Sequence, residues 1–370
     1  MIFFIFIIIA LSVFALLSFY VQKRFINKVH MKQKHKNYLK YFLVFNFLGI
    51  LLYMYGRYNP IFSNELYFLF SLPIGMLFLF FSVSVVYDIF RVLIEKIPFS
   101  NERRKFFKSS IDVGAFAITT PAIAHAVYNA LHIEVENISI QIDNLNKSYK
   151  IVQLSDVHIG GIIDKKAIKD IVDTTNSLHA DLVVITGDLI DTKIEYAKEI
   201  LEELNNLQST YGTFVIVGNH EYIHGIENII NALEKLNITL LQNESIFIGE
   251  KETGFNLIGV YDLMGYRLNH HQPDIKKALQ NTVKNRPSIL LAHQPRFLKE
   301  VFDVDLVLSG HTHGGQIFPF NYLVRLQQPY INGLHKHNEK MQIYVNKGTG
   351  FWGPPMRLGT NCEISNILIS

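Results

Sequence analysis

The sequence predicts an all-α region suited to a membrane, followed by a mixed α/β domain of layered sheets and helices. Three observations carry this expectation. Met1–Tyr20 and Leu66–Tyr87 contain no charged residue. From about residue 132 the composition becomes that of an ordinary globular domain. In that second part, the short apolar runs Ile151–Leu154, Leu182–Ile185, Phe214–Val217, Ile289–Leu291 and Leu306–Leu308 are each followed closely by a carboxylate, an amide or an imidazole. A sheet whose strands end in this way delivers oxygen and nitrogen ligands to one rim.

The chain has 370 residues, 49% of them hydrophobic, and the apolar excess lies at the front. The rest is long enough for one full domain with its own core. The net charge of +3 is supplied by the membrane region. It bears on topology, and nucleic acid is not an expected partner. The single cysteine, Cys362, excludes a disulfide framework and cysteine-rich zinc or iron–sulfur sites. It is expected as a small core residue.

The membrane region is expected to hold three to four spans, at about 1–20, 41–56, 66–87 and 111–131. Met1–Tyr20 would measure roughly 30 Å as a helix, the thickness of the hydrocarbon layer. It has neither the basic start nor the small-residue cleavage site of a signal peptide, so it is expected to be retained. Leu66–Tyr87 carries Pro73 and Gly75, both tolerable in lipid. Ile111–Leu131 lacks Lys and Arg but contains Asp112, Pro121, His125 and Asn129.

Between the first two spans lie Lys23, Arg24, Lys28, Lys32, Lys34, Lys36 and Lys40, and after the third come Arg91, Lys96, Arg103, Arg104, Lys105 and Lys108. Basic loops stay in the cytoplasm. The expectation is a multi-pass protein of the cytoplasmic (inner) membrane. The length of 111–131 and its lack of basic residues favour crossing, which makes the second domain extracytoplasmic; with that stretch lying flat, the domain is cytoplasmic. Arg103–Lys108 resembles a twin-arginine export signal and reads equally as a basic flank of the fourth span.

The domain 132–370 opens on a weakly alternating strand at 132–142. Further strands are expected at about 150–155, 181–186, 213–217, 238–241, 245–248, 255–260, 288–292, 305–308, 341–345 and 363–369. Helices are expected at about 164–178, 194–207, 224–236 and 273–281.

Asp156 and His158, two apart after a strand, would project to the same side. A carboxylate beside an imidazole suits Mn, Fe or Zn better than Mg or Ca. Asp188 follows Gly187, which permits a tight turn, and its two oxygens could bridge two ions. Asn219 offers a neutral amide, or else a helix N-cap. His220 beside it could act as an acid. His293 ends an apolar run. His311 and His313 flank one residue in a glycine-rich turn, where two protonated imidazoles would repel and a metal removes the problem. A zinc peptidase would want His-Glu-x-x-His, which is absent.

Together, SerAspValHis, GlyAspLeu, GlyAsnHisGlu, AlaHisGlnPro and SerGlyHisThrHisGlyGlyGln resemble, in that order, the blocks of the calcineurin-like metallophosphoesterases. The resemblance covers about 150–370. GlyThrGlyPheTrpGlyProProMetArg at 348–357 is similar to the membrane-tethered, YkuE-type phosphodiesterase branch, although Cys362-Glu363-Ile364 replaces that branch's usual Pro-Glu-Ile.

The resemblance implies a four-layer αββα sandwich with two divalent metal ions at the sheet rim. Asp156, His158 and His313 would bind one ion, and Asn219, His293 and His311 the other, with Asp188 bridging. His220 would stay off the metals and face substrate as the catalytic acid. Asp262, Gln316 and Arg357 are candidate substrate contacts.

The expected activity is hydrolysis of phosphodiester or pyrophosphate bonds by metal-activated water. The expected partners are the lipid bilayer and a phosphate-containing substrate, lipid-linked or of the envelope. The alternatives are a cytoplasm-facing UDP-2,3-diacylglucosamine pyrophosphatase of lipid A synthesis and a non-catalytic metal-binding sensor or structural protein.

Overall fold

Four long helices fill the first part of the computed structural model, which describes residues 2–58 and 61–370. They are α1 (Ile2–Tyr20, continued by a π-helical segment Val21–Ile26), α2 (Gln33–Tyr58), α3 (Asn64–Lys96) and α4 (Asn101–Leu131). Ile7–Ile26, Gln33–Arg57, Asn64–Lys96 and Asn101–Leu131 are each long and apolar enough to cross a membrane. Three of these helices run well beyond the stretches expected at 41–56, 66–87 and 111–131. Hydropathy marks only the apolar middle of a helix, while backbone hydrogen bonding continues through Lys34, Lys36, Lys40, Arg91 and the Arg103–Lys108 cluster.

Met1–Tyr128 with Gly353–Leu358 form one compact unit, and Asn129–Trp352 with Gly359–Ser370 the other. Inside the helical unit, the two basic stretches meet. Arg24 Nε donates to Asp88 Oδ2 at 2.9 Å, Arg91 to the Lys28 carbonyl at 3.0 Å and Lys108 to Glu95 at 3.1 Å. Asp112 is a costly residue to bring into lipid. Here it accepts the His30 backbone N–H at 2.9 Å and the Tyr87 hydroxyl at 2.7 Å, with His30 Nδ1 at 2.8 Å. These bonds offset its burial and tie α4 to α3 and to the segment after α1.

The second unit contains β1 (Ile133–Ile140), β2 (Tyr149–Leu154), α5 (Lys165–Ser177), β3 (Leu182–Thr186), α6 (Ile194–Leu201), β4 (Thr213–Ile216), α7 (Asn219–His224) and α8 (Ile226–Leu233). Then come β5 (Thr239–Leu240), β6 (Glu244–Ile248), β7 (Phe255–Gly259), α9 (Met264–Leu268), α10 (Ile275–Ala278), β8 (Ser288–Leu291) and β9 (Leu306–Ser309). α11 (Asn321–Arg325), β10 (Gly333–Lys336), β11 (Gln342–Val345) and β12 (Cys362–Ile369) complete it.

Two mixed six-stranded sheets result, in the orders β1-β12-β2-β3-β4-β5 and β10-β11-β9-β8-β7-β6. Within them β2 through β5 run parallel, as do β7, β8, β9 and β11.

Alternate residues of each strand enter different cores, because successive side chains point to opposite faces. Ile151, Leu182, Val184 and Phe214 of the first sheet share a core with Leu257, Ile289, Leu291, Leu306 and Leu308 of the second. Their sequence neighbours Val152, Val183, Ile185 and Val215 face outward onto Ile168, Ile171 and Val172 of α5 and Ile226, Ile229 and Leu233 of α8. Ile258, Leu290, Val307 and Ile343 pack outward onto Ile275, Ala278, Phe297 and Leu298. Helices, sheet, sheet and helical turns therefore form four layers. Burial on both faces explains the unbroken apolar runs of the parallel strands.

Local differences from the expected elements have local causes. The helix expected at 224–236 is α8, and Gly225 at φ 105° parts it from α7, which was not expected. Asn219 is the first residue of α7 and not its N-cap, which is Gly218. The helix expected at 194–207 is α-helical to Leu201 and 3-10 over Glu202–Asn206. The helix expected at 273–281 is one turn, started by the Asp274 side chain accepting the Lys277 N–H at 2.9 Å. β10 was not foreseen, since Gly-Leu-His-Lys has no apolar run and lies at a sheet edge.

Candidate metal centre

The parallel pairing of β2 with β3 continues beyond the strands and aligns two loops. Asp156 N–H donates to the Gly187 carbonyl and His158 N–H to the Asp188 carbonyl, each at 3.0 Å. The Gly310 N–H reaches the His293 carbonyl at 2.9 Å, which aligns two further loops in the second sheet.

Asp156 (φ 50°), His158 (57°), Asp188 (49°), His311 (71°) and His313 (49°) all have left-handed backbone. Such conformations cost about 1–3 kcal/mol each and cluster where function demands them. Asp156 and His158 do converge, but not as alternate residues of an extended chain. Each is turned by its own positive φ.

Ligand atoms of Asp156, His158 and His313 lie within 4.8 Å of one another, as do those of Asp188, His293 and His311. His158 Nε2 stands 3.0 Å from His313 Nε2, and Asp156 Oδ1 lies 3.4 Å from His313 Nε2. That Oδ1 is buried and makes no hydrogen bond. Its partner Oδ2 accepts the Ser155 hydroxyl at 2.5 Å and the His311 N–H at 2.8 Å.

In the second group, His293 Nδ1 donates to the Thr186 carbonyl at 2.8 Å, which turns Nε2 inward. There Nε2 lies 3.2 Å from both Asn219 Oδ1 and Asp188 Oδ2. Asp188 Oδ1 accepts the His220 N–H at 2.7 Å. Gly187 and Gly218 make room for this: a Cβ on Gly218 would strike Asp188 Oδ1, and one on Gly187 would meet His293 Nδ1 at 2.7 Å.

The electrostatics fit a cation. Burial lowers His293, yet Asp188 and Asp156 hold it well above the ordinary imidazole value. Burial raises Asp188, but His293 and His220 hold it well below the carboxylate range. Burial pushes Asp156 up to about 6. Burial and the charge of His293 push His311 down to about 3, so its lone pair is free to coordinate. Carboxylate and imidazole atoms thus face one another, with Asp156 Oδ1 left without a hydrogen bond. These groups could hold a divalent ion, and mixed carboxylate, amide and imidazole donors suit a transition metal.

His220 stands against this cluster, its ring centroid 4.7 Å from that of His158. Its Nδ1 lies 2.6 Å from Asp191 Oδ1, which fixes the ring with Nε2 on the Asp188 side at 3.9 Å. His224 Nε2 shares the same Asp191 oxygen at 3.1 Å.

Asp191 was not singled out in the sequence, because an Asp three residues beyond Gly-Asp has no pattern of its own. His224 also sits beside the candidate acid, its ring centroid 6.1 Å from that of His220. Glu221 is also more than the fourth letter of a block. It accepts N–H groups from Asp188, Ile190 and Gly218 at 3.1, 2.9 and 2.7 Å, tying the β3 loop to α7. Burial and the charge of Asp188 push it up to about 7.

The candidate substrate contacts are engaged with other residues of the protein. Asp262 is buried, caps a turn through the Met264 N–H at 2.7 Å and takes the Gln294 amide on both oxygens at 2.9 Å. Gln316 spends both ends of its amide on the Trp352 backbone: Nε2 donates to the carbonyl at 2.7 Å and Oε1 accepts the N–H at 3.0 Å. Arg357 belongs to the helical unit and is fully buried, its backbone N–H on the Ala126 carbonyl at 2.7 Å. Cys362 is a buried core residue.

Residues 149–315 match the family described as calcineurin-like phosphoesterase. The chain is 43% identical over 312 residues to an uncharacterized metallophosphoesterase of Helicobacter pylori, covering 83% of each protein. It is 34% identical over 369 residues to an uncharacterized metallophosphoesterase of Campylobacter jejuni, covering 98% of each. A transmembrane protein with metallophosphoesterase domain from Danio rerio is 35% identical over 269 residues, which are 69% of this chain and 62% of the fish protein.

Proposed function

The chain belongs to the calcineurin-like metallophosphoesterases, metal-dependent phosphoester hydrolases, and from that premise we propose a dinuclear enzyme that cleaves phosphodiester or pyrophosphate bonds beside a membrane. One observation supports the dinuclear reading: two separate ligand groups stand side by side, the His311 N–H of one on Asp156 Oδ2 of the other at 2.8 Å. Asp156, His158 and His313 hold one ion, and Asn219, His293 and His311 the other. Asp188, whose Oδ1 accepts the His220 N–H and whose Oδ2 lies beside His293 Nε2, would be shared between them.

When bound, the ions supply charge for a phosphate and acidify a water. The chain does the rest. Asp191 holds the His220 ring, so that Nε2 can pass a proton to the departing oxygen. Gly187 and Gly218 let Asp188 and His293 stand where a Cβ would strike them. The purified chain in detergent, loaded with Mn²⁺ or Zn²⁺, should bind two ions and hydrolyse bis(p-nitrophenyl) phosphate, and chelation should abolish the activity. One ion, or full activity without metal, counts against this reading.

The four apolar helices support a substrate at the lipid surface, of the lipid-linked phosphate kind. The meeting of both basic stretches at one end of the helical unit supports a cytoplasmic position for that end. α4 has 31 residues, about 46 Å, more than the roughly 30 Å a hydrocarbon core requires. We therefore place the second unit outside the cytoplasm. A phosphatase reporter that works only when exported, fused after Ser370, should be active, and deleting Ile111–Leu131 should silence it. A silent reporter on the intact chain would reverse the orientation.

A further inference from the structure

We propose that Trp352 is a built platform for the leaving group, and that the substrate carries a flat apolar group on its departing oxygen. The inference rests on the phosphoesterase reading and sharpens its substrate class. A half-exposed aromatic alone means little, since single apolar residues are common on protein surfaces. This one is held by both metal-bearing loops.

The loop before Trp352 is hydrogen-bonded onto the first ligand loop. Thr349 N–H donates to the Ser155 carbonyl at 2.7 Å, Gly350 N–H to the Asp156 carbonyl at 3.1 Å, and Ser155 N–H to Thr349 Oγ1 at 3.2 Å. Gly350 lies so close to Val157 that a Cβ would strike its carbonyl oxygen. From the other side comes Gln316, three residues after His313. It sits at φ 47° and grips the Trp352 backbone through both ends of its amide. A strained residue whose amide is committed in this way positions its partner.

The outcome is an indole left 48% exposed, whereas Phe351 beside it is 5% exposed. The indole centroid lies 6.2 Å from the His220 ring, with the planes 71° apart. His220 is the group proposed to protonate the departing oxygen, so whatever that oxygen carries must pass close to Trp352. A planar face stacks well on indole, and the pair is worth more than its buried area alone. An aryl ring and a nucleobase both supply such a face.

Trp352 is the only tryptophan in the chain, so its emission reports this contact directly. The full metal-loaded chain in detergent is tested with methyl-, hexyl- and phenylphosphonate as inhibitors of bis(p-nitrophenyl) phosphate hydrolysis. Phenylphosphonate should inhibit about fivefold more tightly than methylphosphonate, the size of one aromatic pair, and should alone quench the emission. Trp352→Phe should keep the preference. Trp352→Ala should lose it while retaining inhibition by methylphosphonate.

An unchanged preference in Trp352→Ala, or hexylphosphonate gaining as much as phenylphosphonate, overturns the platform and leaves the phosphoesterase reading standing. Absence of metal-dependent hydrolysis in the unaltered chain overturns that reading, and the platform with it.

Discussion

Asp188→Asn should strip metal from the protein more completely than any other single ligand change. The carboxylate is buried, with Oδ1 on the His220 N–H and Oδ2 beside His293 Nε2. It is also the charge that most strongly lifts His293. Removing one partner from a buried set of charges costs about 3–5 kcal/mol, or roughly 10²–10⁴-fold in an equilibrium constant. A bridging charge is felt by both ions, so both affinities should fall by that order. Asparagine has the same shape, so the loops tied together by Glu221 keep their geometry and the loss is not one of folding.

Asn219→Ala removes only a neutral ligand and should leave the Asp156, His158 and His313 group occupied. Metal analysis of the two variants after equal dialysis decides the matter. Both ions retained in Asp188→Asn, together with both lost in Asn219→Ala, would show that the bridge is misassigned.

The convergence of the seven candidate ligand side chains was legible because each follows a strand of one of two sheets, and parallel strands end on the same side. How they converge was not. Five of the seven depend on left-handed backbone, which a sequence does not advertise at Asp or His as it does at Gly. Asn219 was open to a capping reading that only the position of Gly218 resolves.

Asp191 and Trp352 were hidden for another reason. Their importance comes from folding back: Asp191 meets His220 across 29 residues, and Gln316 meets Trp352 across 36. Neither contact has a local pattern. Gln316 and Asp262 read as candidate substrate contacts, but their side chains are hydrogen-bonded to the Trp352 backbone and to Gln294. The helical spans were legible by composition, and their ends were not, since lysine and arginine favour helices as readily as they favour water.

His220→Ala should leave the metal content intact and slow turnover by about 10²–10⁴-fold, the usual worth of a positioned acid. The imidazole belongs to neither of the two proposed ligand groups. Its backbone N–H, which holds Asp188 Oδ1, survives in alanine. What disappears is Nε2, held on the Asp188 side of the site by the Nδ1 contact with Asp191.

The loss should therefore depend on the departing oxygen. A p-nitrophenolate leaves without a proton, so the variant should retain far more of its activity on bis(p-nitrophenyl) phosphate than on a dialkyl phosphate, whose alkoxide requires one. Asp191→Asn should follow the same pattern with a smaller loss, since the ring remains but its orientation is no longer enforced by a carboxylate. Steady-state kcat for both substrates, measured beside metal content, separates the roles. Equal losses on the two substrates would remove His220 from the leaving group, and lost metal would make it a ligand.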